Sequence, residues 1–234
     1  MDDSFETLSS TVVSCERCRR LRIWSETAVG QQARYREQPY WAKPVFGFGD
    51  VNARLVVIGL APGRHGANRT GRPFTGDAAG QWLYQALFQH GYSNQPEAWS
   101  REDGLALRDV YITNLVRCAP PGDKPSREEI AACVPYLHQE MRFLTNCQGV
   151  LALGRVAFDG YMRWVMGEKR HTKRPVFEHG RVYHFEGTRP WVLASYHCSQ
   201  RNTRSGRLTP AMWEAIFGQV AQLLGTAPTA SEPR

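Results

Sequence analysis

The sequence predicts an α/β fold in one domain, a central and mostly parallel sheet with helices on both faces. Three observations carry this expectation. Short apolar runs that end in Gly, Asn or Ser are each followed by a helical pattern, the alternation expected of a parallel sheet. A chain of 234 residues can form a single core that buries about 70% of the unfolded surface. Its 42% apolar and 22% charged residues are ordinary for a globular protein.

The elements follow in order. Up to about Gln38 the chain reads as helical segments broken at Cys15-Glu-Arg-Cys18. Residues Tyr40 to Asp50, rich in Pro, Gly and aromatics, read as a loop. Arg54-Leu-Val-Val-Ile-Gly59 is a buried strand, and Leu60 to Gly76 a long Gly/Pro/Asn-rich loop. Asp77 stands at an N-cap position before a helix from Ala78 to Gln89. Val110 to Asn114 is a second strand, and Pro120-Pro-Gly122 marks a loop. Ser126-Arg-Glu-Glu129 is a capping box that opens a helix to about Leu144. Gly149 to Leu153 is a third strand, with a turn at Gly154 into a helix from Arg155 to Met166. Val182 to Phe185 and Trp191 to Ser195 are further strands. Tyr196 to Arg207 reads as a loop, and Thr209 to about Leu224 as the last helix. Residues 1–224 make the domain, and residues 225–234 read as a disordered tail.

No run of about 18 apolar residues suggests a membrane span. The opening Met-Asp-Asp-Ser has no apolar core of a signal peptide, so the expected compartment is the cytoplasm. A net charge of +7 suits an anionic partner such as nucleic acid, though charge alone decides little. Six cysteines, Cys15, Cys18, Cys118, Cys133, Cys147 and Cys198, favour metal or cluster ligation over disulfides in a cytosolic chain. Cys147 reads as a small buried residue.

In parallel sheets ligands bind beyond the carboxyl ends of strands. The loops after Gly59, Asn114 and Ser195 should therefore converge on one site. The first is Gly59-Leu-Ala-Pro-Gly63-Arg-His65, continuing to Gly71-Arg-Pro-Phe74-Thr-Gly-Asp77. Its glycines allow close backbone approach, and Phe74 is available to stack on a planar base. A merely irregular turn or a phosphate loop is the plainer reading, but no Gly-Lys-Ser/Thr supports a triphosphate site. The last loop, Ser195-Tyr-His197-Cys-Ser-Gln-Arg-Asn202-Thr-Arg-Ser-Gly-Arg207, has one His, three Arg and no acid. It suits a phosphate backbone, or is simply a solvated basic loop. Lys169-Arg-His-Thr-Lys-Arg174 is a second basic stretch, read as solvated surface.

Together these loops resemble the uracil-DNA glycosylase superfamily, most closely its family five, the B-type enzymes. Gly-Leu-Ala-Pro-Gly and Gly-Arg-Pro-Phe-Thr-Gly-Asp resemble the first motif. Tyr111-Ile-Thr-Asn-Leu-Val-Arg-Cys-Ala-Pro-Pro-Gly122 resembles the middle one. Ser-Tyr-His with Asn-Thr-Arg-Ser-Gly-Arg-Leu-Thr209 resembles the last. Leu60 stands where family four usually has Glu, and Cys198 departs from the small residue or Pro expected after the His.

The resemblance implies a three-layer glycosylase fold and a monofunctional enzyme. Such an enzyme hydrolyses the N-glycosidic bond of uracil, hypoxanthine or xanthine in double-stranded DNA and leaves an abasic site. It further implies a [4Fe-4S] cluster on Cys15, Cys18, Cys118 and Cys133, with tetrahedral zinc as the physical alternative. His197 then stabilises charge on the leaving base, Phe74 stacks on it and Asn114 reads its edge. Leu60, Gly63 and His65 border the pocket. Ala61 cannot activate water, which leaves Asp77 as the acidic candidate beside its capping role. Gln200, Arg201, Asn202, Arg204 and Arg207 are the expected DNA contacts, and the expected state is a monomer. A non-catalytic iron–sulfur or zinc DNA-binding protein and a family-four enzyme are the competing readings.

Overall fold

The computed structural model describes residues 4–167, 175–187 and 190–225. The basic stretch from Lys169 to Arg174 and the tail 226–234 lie outside the described residues. In chain order the elements are α1 (Phe5–Val13), α2 (Arg19–Glu26), β1 (Phe48–Gly49), β2 (Leu55–Gly59), α3 (Ala67–Thr70), α4 (Ala78–Gln89) and β3 (Val110–Asn114). There follow α5 (Arg127–Phe143), β4 (Gly149–Leu153), α6 (Arg155–Met166), β5 (Val182–Tyr183), β6 (Trp191–Ser195), α7 (Gln200–Arg204) and α8 (Pro210–Leu224).

The strands form one six-stranded sheet in the order β1-β3-β2-β4-β6-β5. The four inner strands run parallel, and the two-residue edge strands pair antiparallel. Each inner strand is buried along all five residues, because helices cover both faces. Alternate residues divide between two cores, as the two-residue period of a strand requires. Val56, Ile58, Tyr111, Val150 and Val192 face one side, with α1, α5 and α6 packed over them. Leu55, Val57, Ile112, Leu151 and Leu193 face the other, beneath α4 and α8.

The helix ends follow their caps. Asp77 accepts from the Gly80 N–H at 2.9 Å. The Ser126–Glu129 capping box is complete, and Thr209 caps α8 with Pro210 in its first turn. Four expectations change in detail. The loop after β2 contains the single turn α3, closed by Gly71 in the left-handed region at φ 77°. The last loop contains α7, five residues long and too polar to show periodicity. The loop before β2 contributes β1, and the strand expected over Val182 to Phe185 is only two residues long. No helix among the described residues is long and apolar enough to cross a membrane.

Beneath the sheet's outer strand lies a buried ion pair. The Arg117 guanidinium meets the Glu140 carboxylate, and the pair is almost sealed from solvent. Glu140 also accepts from Thr113 Oγ1 at 2.7 Å, the Tyr111 hydroxyl at 3.0 Å and the Gly47 N–H at 3.2 Å. Every lone pair thus finds a donor, as a desolvated carboxylate requires. The network ties α5 to β3 and to the segment before β1.

Candidate active site

Strand register sets the site. Gly59 lies opposite Asn114, and Leu153 opposite Ser195, so four strand ends stand side by side. Their loops enclose an open cavity of about 630 Å³. The three loops expected to converge do so. A fourth joins them, the turn at Gly154 between β4 and α6. Gly154 has φ 92°, and its N–H donates to the Ser195 carbonyl at 2.7 Å. That bond fastens the turn to the start of the His197 loop.

Phe74 and Asn114 form one wall. Both close over Gly59, where an added Cβ would stand 2.3 Å from Asn114 Oδ1 and 2.8 Å from the Phe74 ring. Only glycine lets the two side chains approach β2 so closely. Phe74 itself sits in the left-handed region at φ 53°, a conformation uncommon for an aromatic residue. The Tyr84 hydroxyl donates to the preceding Pro73 carbonyl at 2.8 Å and holds the turn. Asn114 is 2% exposed, and its Oδ1 has no hydrogen-bond partner among the described residues. A buried acceptor left empty at a cavity wall is the mark of a site built for a donor.

His197 is fixed from three directions. Asn202 Nδ2 donates to its carbonyl at 2.8 Å. The next residue, Cys198, is fully buried, and its thiol donates to the Ala79 carbonyl at 3.3 Å, tying the loop to α4. The preceding Tyr196 donates its N–H to His179 Nδ1 at 3.0 Å and stacks on that imidazole at 4.7 Å. The departure at Cys198 is therefore a tether rather than a disruption. The His197 ring stacks on Phe74, and burial pushes its pKa down to about 4, so the imidazole is neutral at ordinary pH.

Asp77 caps α4 and lies at the cavity. One carboxylate oxygen caps α4. The other packs against the backbone of Gly63 and Gly66, where added Cβ atoms would come within 2.9 and 2.1 Å. The residue also lines the cavity, and burial raises its pKa.

Leu60 and Gly63 line the cavity as expected, and Ala61, Gln200 and Arg201 line it too. His65 does not. It lies in an adjoining groove, its Nδ1 2.9 Å from the Tyr40 hydroxyl. Asn202 spends its amide on His197, and the Arg207 guanidinium lies over the Tyr196 ring at 5.0 Å, while Arg204 is exposed on α7. Asp123, Lys124 and Arg155 also stand at the cavity rim and were not expected there. The Pro-Pro-Gly turn before Asp123 and the strand-to-helix turn before Arg155 were the available signals.

Cys15, Cys18, Cys118 and Cys133 wall a single small cavity with Arg17, Arg22, Arg117 and Tyr136. All are free thiols. Burial pushes Cys118 up to about 12 and Cys133 up to about 11. No three His, Cys, Asp or Glu among the described residues are set to hold one metal ion. Cys147 lies apart, with its thiol donating to the Gly149 carbonyl at 3.4 Å.

Comparison with known proteins agrees with the geometry. The family model of the Uracil DNA glycosylase superfamily matches residues 46–221. The type-5 uracil-DNA glycosylase of Thermus thermophilus is 44% identical over 94% of this chain and 98% of its own. That of Mycobacterium leprae is 41% identical over 95% and 96%. A type-4 uracil-DNA glycosylase of Pyrobaculum aerophilum is 36% identical, but over only 56% and 58%. The strand-end cavity, its motif loops and these full-length likenesses place the chain in the uracil-DNA glycosylase superfamily, among the type-5 enzymes.

Proposed function

We propose that the protein removes uracil, and also hypoxanthine and xanthine, from double-stranded DNA by hydrolysing the N-glycosidic bond. The observation that carries this reading is the unpartnered, buried Asn114 Oδ1 at the wall of a cavity that also holds Phe74 and His197. A flipped base supplies what that atom lacks, an N–H on a planar ring. Phe74 stacks on the ring. The neutral His197 donates one hydrogen bond to the base oxygen on which negative charge grows.

As the C1′–N bond breaks, its electron pair leaves with the base. Water adds its oxygen to C1′, and Asp77, which lines the cavity, takes the water's proton. A carboxyl with a raised pKa holds that proton well. Ala61 offers nothing to a particular base edge, and this favours a broad substrate range. The product is an abasic site without strand cleavage. Among the described residues Lys124 is the amine at the cavity rim, and borohydride is expected to trap no protein–DNA adduct through it. Gln200 and Arg201 at the cavity, with the exposed Arg204 on α7, are the residues expected to contact the DNA backbone.

Cys15, Cys18, Cys118 and Cys133, which line one cavity, would hold a [4Fe-4S] cluster, and it would supply a structural staple between the N-terminal segment and the loop after β3. The thiols must lose their protons as the cluster assembles. Arg20 reinforces the same junction through a two-pronged bond to Glu129, at 2.8 and 2.7 Å. Iron and sulfide analysis of anaerobically purified protein distinguishes the cluster from zinc.

The test of the activity is excision from a labelled duplex with a single deoxyuridine, beside His197→Ala. An abasic product lost in the variant supports the reading. Tight, salt-sensitive binding with no product would instead identify a non-catalytic DNA-binding protein.

A further inference from the structure

The active-site cavity does not end at Asp77. It adjoins a second cavity of about 590 Å³, with which it shares Gly63, Asp77, Ala79, Asp123, Ser199 and Gln200. That one continues into a third of about 640 Å³ through Arg34, Tyr35, Gly76 and Trp99. The result is one groove that runs away from the glycosylase pocket, and no role described so far uses its outer half.

Its outer lining gathers Tyr35, Trp41 and Trp99 with Arg34 and Arg101, and includes one carboxylate, Glu102. Trp99 is 49% exposed. Arg34 lies 5.4 Å from the Tyr35 ring centre, and Arg101 lies 4.4 Å from that of Trp41. Neither Arg34 nor Arg101 has an ion pair among the described residues. Two exposed cations with nearby rings are the chemistry that binds an unpaired nucleic-acid strand, phosphates on the arginines and bases on the rings.

The groove is also built in advance. Trp41 and Ala42 donate their N–H groups to the Arg69 and Asn68 carbonyls at 2.8 and 2.9 Å. Arg69 in turn holds Gln38 Oε1 at 2.7 Å and the His65 carbonyl at 2.9 Å. Gly71 lets the Trp41 ring close in, since an added Cβ would stand 2.8 Å from it. Walls fixed this way cost little ordering on binding.

We propose that this groove holds the nucleotides of the target DNA strand that flank the flipped base on one side, in an unpaired state. The proposal rests on the glycosylase reading, because the strand is fed from the active-site cavity. Trp99 stacks on a flanking base, and Arg34 and Arg101 take its phosphates.

The test uses uracil duplexes that are fully paired, or that carry four mismatched nucleotides on the 5′ or on the 3′ side of the uracil. Binding is followed by fluorescence anisotropy in a His197→Ala background, and excision in the wild-type background. Unpairing one flank is expected to tighten binding by about tenfold, and unpairing the other is not. Trp99→Ala and the double variant Arg34→Ala/Arg101→Ala are expected to abolish that gain. They should leave maximal excision from the fully paired duplex unchanged. An equal gain from either flank would reflect easier base flipping and overturn the proposal, as would no gain, or a gain that survives both variants. Failure of wild-type protein to excise uracil from any duplex would strike the glycosylase reading itself.

Discussion

The Phe74 ring and the His197 imidazole lie stacked on each other, their centres 5.7 Å apart and their planes 24° from parallel. No third ring fits between them at that spacing. A base stacked on Phe74 is therefore expected beyond the pair rather than between its rings, with the histidine acting through a ring nitrogen rather than through its face. The stack also explains why burial holds the imidazole neutral, with a pKa of about 4.

The first prediction concerns pH. Because the His197 pKa is lowered, the neutral form persists as pH falls from 8 to 5, and protonation begins only toward pH 4. The pH profile of kcat/KM is expected to show no His197 step near 6.5. A step there that disappears in His197→Ala would contradict a neutral donor.

The two roles of Asp77 separate by substitution. Asn caps a helix about as well as Asp but takes no proton. Asp77→Asn is expected to slow excision by about 10²–10⁴-fold and to shift the melting temperature by only a few degrees. Asp77→Ala loses the cap as well, at a cost of about 1 kcal/mol. Near-normal excision by the Asn variant would leave Asp77 as a cap alone.

Gly59→Ala places a methyl group against both Asn114 Oδ1 and the Phe74 ring. Expected is a rise in KM for uracil DNA and a fall in kcat of at least about tenfold, as expected when reacting groups are displaced by a fraction of an ångström. Steady-state kinetics beside a circular dichroism melt checks whether the effect stays local.

The Arg117–Glu140 pair offers a stability test. Glu140→Gln leaves a buried guanidinium without its counter-charge, and a cost of about 3–5 kcal/mol is expected. A loss of unfolding free energy below about 1 kcal/mol in denaturant titration would mean that solvent reaches the pair.

Much of this architecture was legible in the residues. Apolar runs that end at Gly59, Asn114, Leu153 and Ser195 located all four inner strand ends, and the caps at Asp77 and Ser126 located two helices. The cavity's main side chains followed from those strand ends. The parts that escaped depend on tertiary contact. The turns of α3 and α7 are too short to leave a hydrophobic period. Nothing in the sequence around His65 indicates that Tyr40 draws it out of the pocket. Arg155 sits in the cavity rim only because β4 ends level with β6. The Asn202 amide looked free for DNA until the His197 carbonyl was seen to occupy it.

The empty acceptor on Asn114 has a consequence for turnover. A ligand that donates to this buried oxygen satisfies it, a gain on the order of 1–3 kcal/mol over leaving it unpaired. The released base carries the same N–H edge as the base still in DNA. Free uracil is thus expected to compete with substrate and to raise the melting temperature, and departure of the base rather than bond cleavage becomes a natural brake on the cycle.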